Sequence, residues 1–392
     1  MEIVYILSTS RGGIPHYVVN LANAVAKYED VTLLKPEKTS ADNIISGDIK
    51  VINAFKEINL SFVDLQKGGL FRFENIKNLA SYRNIKIIRE IDPEIIHTPN
   101  LTIQELLFLR LYKLDHMYPV VTTIHGVPKR KVILPGPDKA LIHAFAVNIG
   151  KIINCVFKIK VSKYIVHTQL HRDALVKQGI NIQKVVIIPH GVYNFFRELY
   201  KEEGKEEKNT ILFFGNIVPV KGLDILIDAI PIIAKEIPDV KLIIAGDGVI
   251  PKKNWQIIEK YKSNFEIHNY FIPNEEVGKF FSRACIVVIP NRRQEGHSGS
   301  LTVAYSFGKP VVTTNVGEFP ILVRDAGCGL VVPPENPNAL AEAIIQLLKD
   351  DKLRKKMSKN ALKMAEKLSW DNIAKMHIKV YEEVLDERRG RS

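Results

Sequence analysis

Cysteine is scarce in this chain: Cys155, Cys285 and Cys328 are the only three in 392 residues, far apart and without a CxxC pair. A disulfide framework and a paired-cysteine zinc cage are thereby excluded, and buried free thiols are the expectation. Long hydrophobic runs are lacking too. The longest stretch without Asp, Glu, Lys or Arg is 12–26, 15 residues that include two Gly, one Pro, one His and two Asn, and 116–128 and 296–308 follow with 13 each, broken by Pro or Gly, whereas a membrane-spanning helix needs about 20 apolar residues. The start, MEIVYILSTSR, has an acidic second residue and only a short apolar run. It reads as a first strand rather than a leader, and the protein as cytoplasmic. No GxGxxG follows that strand, which removes the usual support for nicotinamide binding. Acidic charge is short as well: 43 acidic side chains face 55 basic ones, a net charge of +12, and residues 101–200 hold 14 basic against 5 acidic. That asymmetry points to an anionic partner for the first half.

What is present is an ordinary globular composition, 46% apolar and 25% charged, on a length that suits about two domains. Short β-branched runs alternate with helical periodicity throughout, the pattern of parallel sheets covered by helices. EIVYIL, VTLL, PEIIHT, PVVTTIHG, YIVHT and VVIIPHG are the strands expected in the first half. TILFFG, KLIIAG, FEIHNYF, IVVIP, PVVTT and GLVVPP are those of the second, with helices over 13–28, 74–91, 222–236, 299–308 and 338–349. The Glu- and Lys-rich stretch before TILFFG reads as a connection. The expected layout is a first lobe at 1–194, a linker at 195–209, a second lobe at 210–369 and a C-terminal helix at 370–392. Both lobes are Rossmann-like, doubly wound α/β units, facing each other across a cleft where ligands of such sheets gather.

Three segments carry chemistry. Gly12 and Gly13 lie between the first strand and a helix, where backbone amides can approach a phosphate or sugar; a plain tight turn explains them as well. In FFGNIVPVKGLDILIDAI, Lys221 falls at the start of a helical pattern, a compact position for a diphosphate, although a lysine there is commonly just solvated. The richest loop is IPNRRQEGHSGSLTVAYSFGKPVV. Arg292 and Arg293 can offset diphosphate charge, Glu295 can hold sugar hydroxyls, and amides at 299–301 open a helix.

Together, GG after strand one, FxGxxxxxKGxDxLIxA, LxxAGxG, an EG loop before GKPVV and the terminal SWDNIAKMHIKVYEEVL resemble the family-4 retaining glycosyltransferases of GT-B fold, over nearly the whole chain. The resemblance implies transfer of a sugar from a nucleotide-diphosphate donor to an acceptor, glycan, lipid-linked or small molecule. It implies retention of configuration, no required metal or cofactor, and a C-terminal helix that crosses back to the first lobe. It assigns Lys221, Glu295 and His125 to catalysis. The donor is assigned to Gly12, Gly13, Asn216, Lys221, Arg292, Arg293, Glu295, Gly296, His297, Ser298, Gly299, Ser300 and Leu301. The sequence departs from the family pattern at Asn216, where an arginine is usual, at Val303 and Ile321, where glutamates are, and at Cys285, where an aspartate is. A degenerate glycan-binding or partner subunit and a sugar-nucleotide epimerase are the alternatives on the same fold.

His167 and His171 have a metal-compatible spacing but no third ligand. Residues 126–163 carry eight basic side chains against Asp138 alone. They form either a solvated helix face or a peripheral contact with an anionic membrane surface, on the inner face of the membrane. The segment's two aromatics, Phe145 and Phe157, are too few to favour nucleic acid.

Overall fold

The computed structural model describes residues 1–56, 78–100, 102–126, 159–200, 205–293 and 297–390. It divides into two compact units, Met1–Pro189 with Trp370–Ser392, and His190–Ser369. The second unit therefore begins before the expected linker. Residues Phe195–Leu199, placed in that linker by composition, form a short helix whose Phe195 and Phe196 are buried. The strongly charged stretch begins only after those aromatics, so the apolar pair folds with the second unit.

Unit 1 is built on a seven-stranded parallel sheet in the order β3-β2-β1-β4-β5-β6-β7. The strands are β1 Glu2–Ile6, β2 Asp30–Pro36, β3 Lys50–Phe55, β4 Ile95–Thr98, β5 Val120–Ile124, β6 Val161–Val166 and β7 Val185–Ile187. β1 is the inner strand, with Ile3 opposite Val31 on one side and Ile95 on the other. Its near-continuous burial reflects a sheet covered on both faces. The strand β3 was not expected from the sequence: of KVINAF only Ala54 and Phe55 are buried, so an edge position replaced the apolar run that marks inner strands.

Helices α1 Gly13–Val25, α2 Ile103–Leu111 and α3 Gln169–Lys177 follow β1, β4 and β6. The α2 start is a capping box: the Thr102 hydroxyl accepts from the Glu105 amide while a carboxyl oxygen of Glu105 accepts from the Thr102 amide. The described part of the expected helix 74–91 winds instead as a 3-10 segment, Ala80–Ile87, before one α turn at Ile88–Ile91. There the Ser81 hydroxyl donates to Asn78 O at 2.5 Å, competing for a carbonyl of the helical ladder, and Asn84 donates to Ala54 O of β3 at 2.9 Å. The C-terminal helix Trp370–Arg389 packs in unit 1 against α1. Its buried stripe runs through Trp370, Ile373, His377, Tyr381 and Val384, while Met376 is 40% exposed.

Unit 2 holds a six-stranded parallel sheet in the order β10-β9-β8-β11-β12-β13. These are β8 Thr210–Phe214, β9 Lys241–Ala245, β10 Phe265–His268, β11 Ile286–Ile289, β12 Val311–Thr314 and β13 Gly329–Val332. The helices α4 Leu223–Glu236, α5 Gly299–Ser306 and α6 Pro337–Lys349 cover it, and Leu226, Ile230 and Ile233 of α4 meet Leu340, Ile344 and Leu347 of α6 in one apolar core. Cys285 and Cys328 are buried free thiols; Cys155 lies outside the described residues. Among the described residues no helix is long and apolar enough to cross a membrane.

Candidate functional site

In a doubly wound sheet the strand order reverses at one point, and the loops leaving the strands on either side diverge to opposite faces and open a crevice at their carboxyl ends. That point is β1/β4 in unit 1 and β8/β11 in unit 2.

In unit 2 the β8 loop carries Gly215, exposed Asn216 and the 3-10 turn Pro219–Lys221, which runs straight into α4. Gly222 joins them at φ +68°, and a Cβ there would lie 2.0 Å from the carbonyl oxygen of Pro290 at the end of β11. Only glycine permits both the left-handed backbone and that approach. The Lys221 ammonium is withdrawn from water, which pushes its pKa down, and among the described residues no carboxylate stands at ion-pair distance. A desolvated, uncompensated ammonium is unfavourable unless an anion completes it.

The second wall is the start of α5. Ser298 occupies its N-cap without a side-chain bond, and the Ser300 hydroxyl donates to Phe214 O at 2.9 Å, tying the helix start to β8. The amides of Gly299 and Ser300 have no intrahelical acceptor. Leu301, assigned with them to the donor, departs from that role: its amide donates to Ser298 O at 3.1 Å and its side chain is fully buried. His297 stacks on His190 at 4.2 Å with ring planes 9° apart, a partner that sequence did not reveal because it lies 107 positions upstream.

Arg292 is not an open diphosphate cation. Its guanidinium donates to Asp224 through two bonds of 2.8 and 2.7 Å, to Glu335 at 3.1 Å and to Pro219 O, and its amide donates to Val220 O at 2.9 Å. It binds the Lys221 turn to the β11 loop instead. Arg293 is exposed. Glu295 and Gly296 lie outside the described residues, as does 127–158, most of the basic segment. Of the departures from the family pattern, Val303 is buried and Ile321 exposed, while the Cys285 thiol donates to Glu207 O at 3.0 Å.

In unit 1, Gly12 caps α1 at φ +86°, with no side-chain cap, and Gly13 is the first helical residue. His125 directly follows β5, and its Nδ1 lies 3.0 Å from Nε2 of His167, just after β6. His167 Nδ1 in turn lies 3.0 Å from Ile188 O. Burial pushes the His167 pKa down to about 3, so the ring is neutral. Of His167 and His171, whose spacing lacks a third ligand, the first meets His125 from a strand end and the second is in α3. Beneath them lies a buried polar layer missed in the sequence. His97 meets the Tyr381 hydroxyl at 2.6 Å and Thr123 Oγ1 at 2.9 Å, and Tyr381 meets Tyr5 at 2.8 Å. Tyr381 stands 284 positions after His97 and 376 after Tyr5, and nothing local marks them.

Two doubly wound parallel sheets, with glycine-bearing loops at their switch points and a C-terminal helix that packs in the first unit, define the GT-B class. Two family patterns match the chain: Glycosyltransferase Family 4 over residues 11–193 and Glycosyl transferases group 1 over residues 195–364. An uncharacterized glycosyltransferase of Methanocaldococcus jannaschii is 28% identical over 386 residues, 96% of this chain and 95% of its own. A phosphatidyl-myo-inositol mannosyltransferase of Mycobacterium leprae is 24% identical, with 95% and 93% covered. The Anabaena protein HepE, solved with UDP and glucose, superposes with a TM-score of 0.69 at 17% identity, covering 98% of this chain and all of that one. The chain belongs to the family-4 glycosyltransferases of GT-B fold and is a glycosyltransferase.

Proposed function

We propose that the protein is a retaining, metal-independent hexosyltransferase that uses a nucleoside-diphosphate sugar. The observation that carries this reading is the Lys221 ammonium, desolvated and without a carboxylate partner among the described residues, at the switch point of a sheet. A diphosphate supplies the missing charge, and the open amides at the start of α5 add hydrogen bonds and the positive end of the helix dipole. The M. leprae relative's mannosyltransferase name and the UDP and glucose of the Anabaena structure are in keeping with such a donor.

The bond from the anomeric carbon to the diphosphate oxygen breaks, and a bond from the acceptor oxygen to that carbon forms on the same face. The acceptor's proton passes to the departing diphosphate. The protein's part is electrostatic: Lys221 and the α5 amides stabilise the leaving charge as it grows. By the family resemblance Gly13 is assigned to the donor diphosphate, His125 to the neighbourhood of the reactive carbon and Glu295 to the donor sugar. No bound metal or organic cofactor takes part in this scheme.

The test is a screen of nucleoside diphosphates and their sugars by thermal shift without added metal, followed by acceptor trials with NMR of the product's anomeric proton. A selective shift and transfer with retained configuration are expected. Transfer with inversion would overturn the retaining assignment. Conversion of the donor without an acceptor would mark an epimerase. No shift from any nucleotide in the folded protein would mark a binding subunit.

A further inference from the structure

The pairing of His125 with His167 fixes more than a distance. Ile188 O can only accept, so the proton of the His167 ring sits on Nδ1, 3.0 Å away. The ring is neutral, and Nε2 is therefore a lone pair. His125 Nδ1, 3.0 Å from that lone pair, must donate to it. A neutral His125 held in this way has no hydrogen on Nε2. This is the minority tautomer of a free histidine side chain, and a hydrogen bond to the other nitrogen is the usual means of imposing it.

The rings are also held in place. Tyr17, from α1, meets His125 edge-on at 4.4 Å and 87°, and His167 at 5.4 Å and 61°. Its hydroxyl lies 3.4 Å from Nε2 of His377 in the C-terminal helix, whose Nδ1 donates to Ile373 O at 2.8 Å. Tyr17 is fully buried and His167 nearly so, leaving little room for either ring to turn.

We propose that His167 is a positioning residue for His125: it imposes the tautomer in which Nε2 presents a lone pair to a hydroxyl of the sugar or acceptor, rather than an N–H. The inference rests on the reading that assigns His125 to the neighbourhood of the reactive carbon. His167 itself touches no reacting atom. It acts as an acceptor aimed at His125 Nδ1, while the Ile188 carbonyl determines the position of its own proton.

The test is a long-range 15N–1H correlation spectrum of the full-length protein labelled at histidine, with the His125 signals assigned by their loss in H125F. The Nδ1-protonated pattern is expected for His125. In H167F, which keeps ring volume and removes the acceptor, His125 is expected to shift toward the Nε2-protonated form. H167Q, whose Oε1 reaches a place close to that of the lost Nε2, is expected to keep the original pattern. With an acceptor in hand, H167F should lower kcat roughly 10-fold or more, the scale typical for losing a group that orients a functional histidine, with donor KM little changed and H167Q restoring turnover. An Nε2-protonated His125 in the wild type, or a His125 spectrum unchanged in H167F, would overturn the proposal. Should H167F not fold, the wild-type spectrum decides alone. Full turnover in H125F beside the expected spectrum would remove the functional reading of His125 and leave the tautomer assignment standing.

Discussion

Arg292 and Asp224 form a two-pronged ion pair, 2.8 and 2.7 Å, that joins the loop after β11 to the first turn of α4. Burial pushes the Asp224 carboxyl up, but the hydrogen bonds and charge of Arg292, helped by Lys253, outweigh it and leave the group below the usual carboxylate range. The same guanidinium reaches Pro219 O, one residue before Val220 and two before Lys221. The pair therefore sets where the Lys221 turn can stand.

R292A is expected to leave Asp224 with Lys253 as its remaining cation and to lower unit 2 stability by about 1–3 kcal/mol. It should also weaken nucleoside-diphosphate binding by displacing Lys221. R292K restores the charge but not the planar fork, so it should recover little of either. Urea melts and calorimetric titration with UDP and GDP check both effects. Unchanged nucleotide affinity in a folded R292A protein would remove the link to Lys221.

K221A is expected to fold normally, because it relieves a desolvated charge, and to lose kcat by about 100- to 1,000-fold through lost stabilisation of the leaving group. Steady-state kinetics with the donor found by screening decide it. A kcat near wild type would exclude Lys221 from the leaving-group site.

G222A should be among the most damaging single-methyl additions in unit 2. The new Cβ would stand 2.0 Å from Pro290 O on a backbone at φ +68°. Displacement of the β11 end and left-handed strain together should cost about 2–4 kcal/mol, read as a lowered denaturation midpoint.

Unit 1 should be most stable near pH 6.5. Burial holds His377 at about 4, His167 at about 3 and His97 well below its ordinary value. All three are neutral when folded and gain protons on unfolding below pH 6.5, so their contribution is lost as pH falls from 6.5 toward 4 and 3. Glu105 has the opposite sign: burial raises it to about 8 against opposing hydrogen bonds from Ser8 and Thr102. It is protonated when folded and ionised when unfolded, so its contribution is present below about 4.5 and is lost as pH rises to 8. Between about 4.5 and 6.5 the histidines outnumber it, and stability rises with pH at up to roughly 3 kcal/mol per pH unit; above 6.5 it falls. E105Q, which keeps the capping box, should flatten the fall above 6.5 in melts followed by the fluorescence of Trp370.

The strands were legible because a sheet covered on both faces demands continuous apolar runs, and twelve of the thirteen among the described residues announced themselves that way. Lys50–Phe55 did not, since an edge strand is only partly buried. Glycines at 12 and 13 and the lysine at 221 were legible because a strand-to-helix turn has few chemical solutions. The role of Arg292 was not: a guanidinium looks the same in sequence whether it awaits a phosphate or already holds two carboxylates.

The sequence by itself determined the class of this protein: two parallel α/β units, the order of their elements, and the loops that carry Lys221 and His125. Burial pattern and turn chemistry are local properties, and local properties survive in a linear code. Tertiary structure alone decided which charges are already paired, that Leu301 has no amide to offer, and that His167 stands behind His125. It also decided that His377 faces the interior from the last helix. Each of these depends on side chains brought together from distant parts of the chain, where a hydrogen bond forms or fails over a few tenths of an ångström.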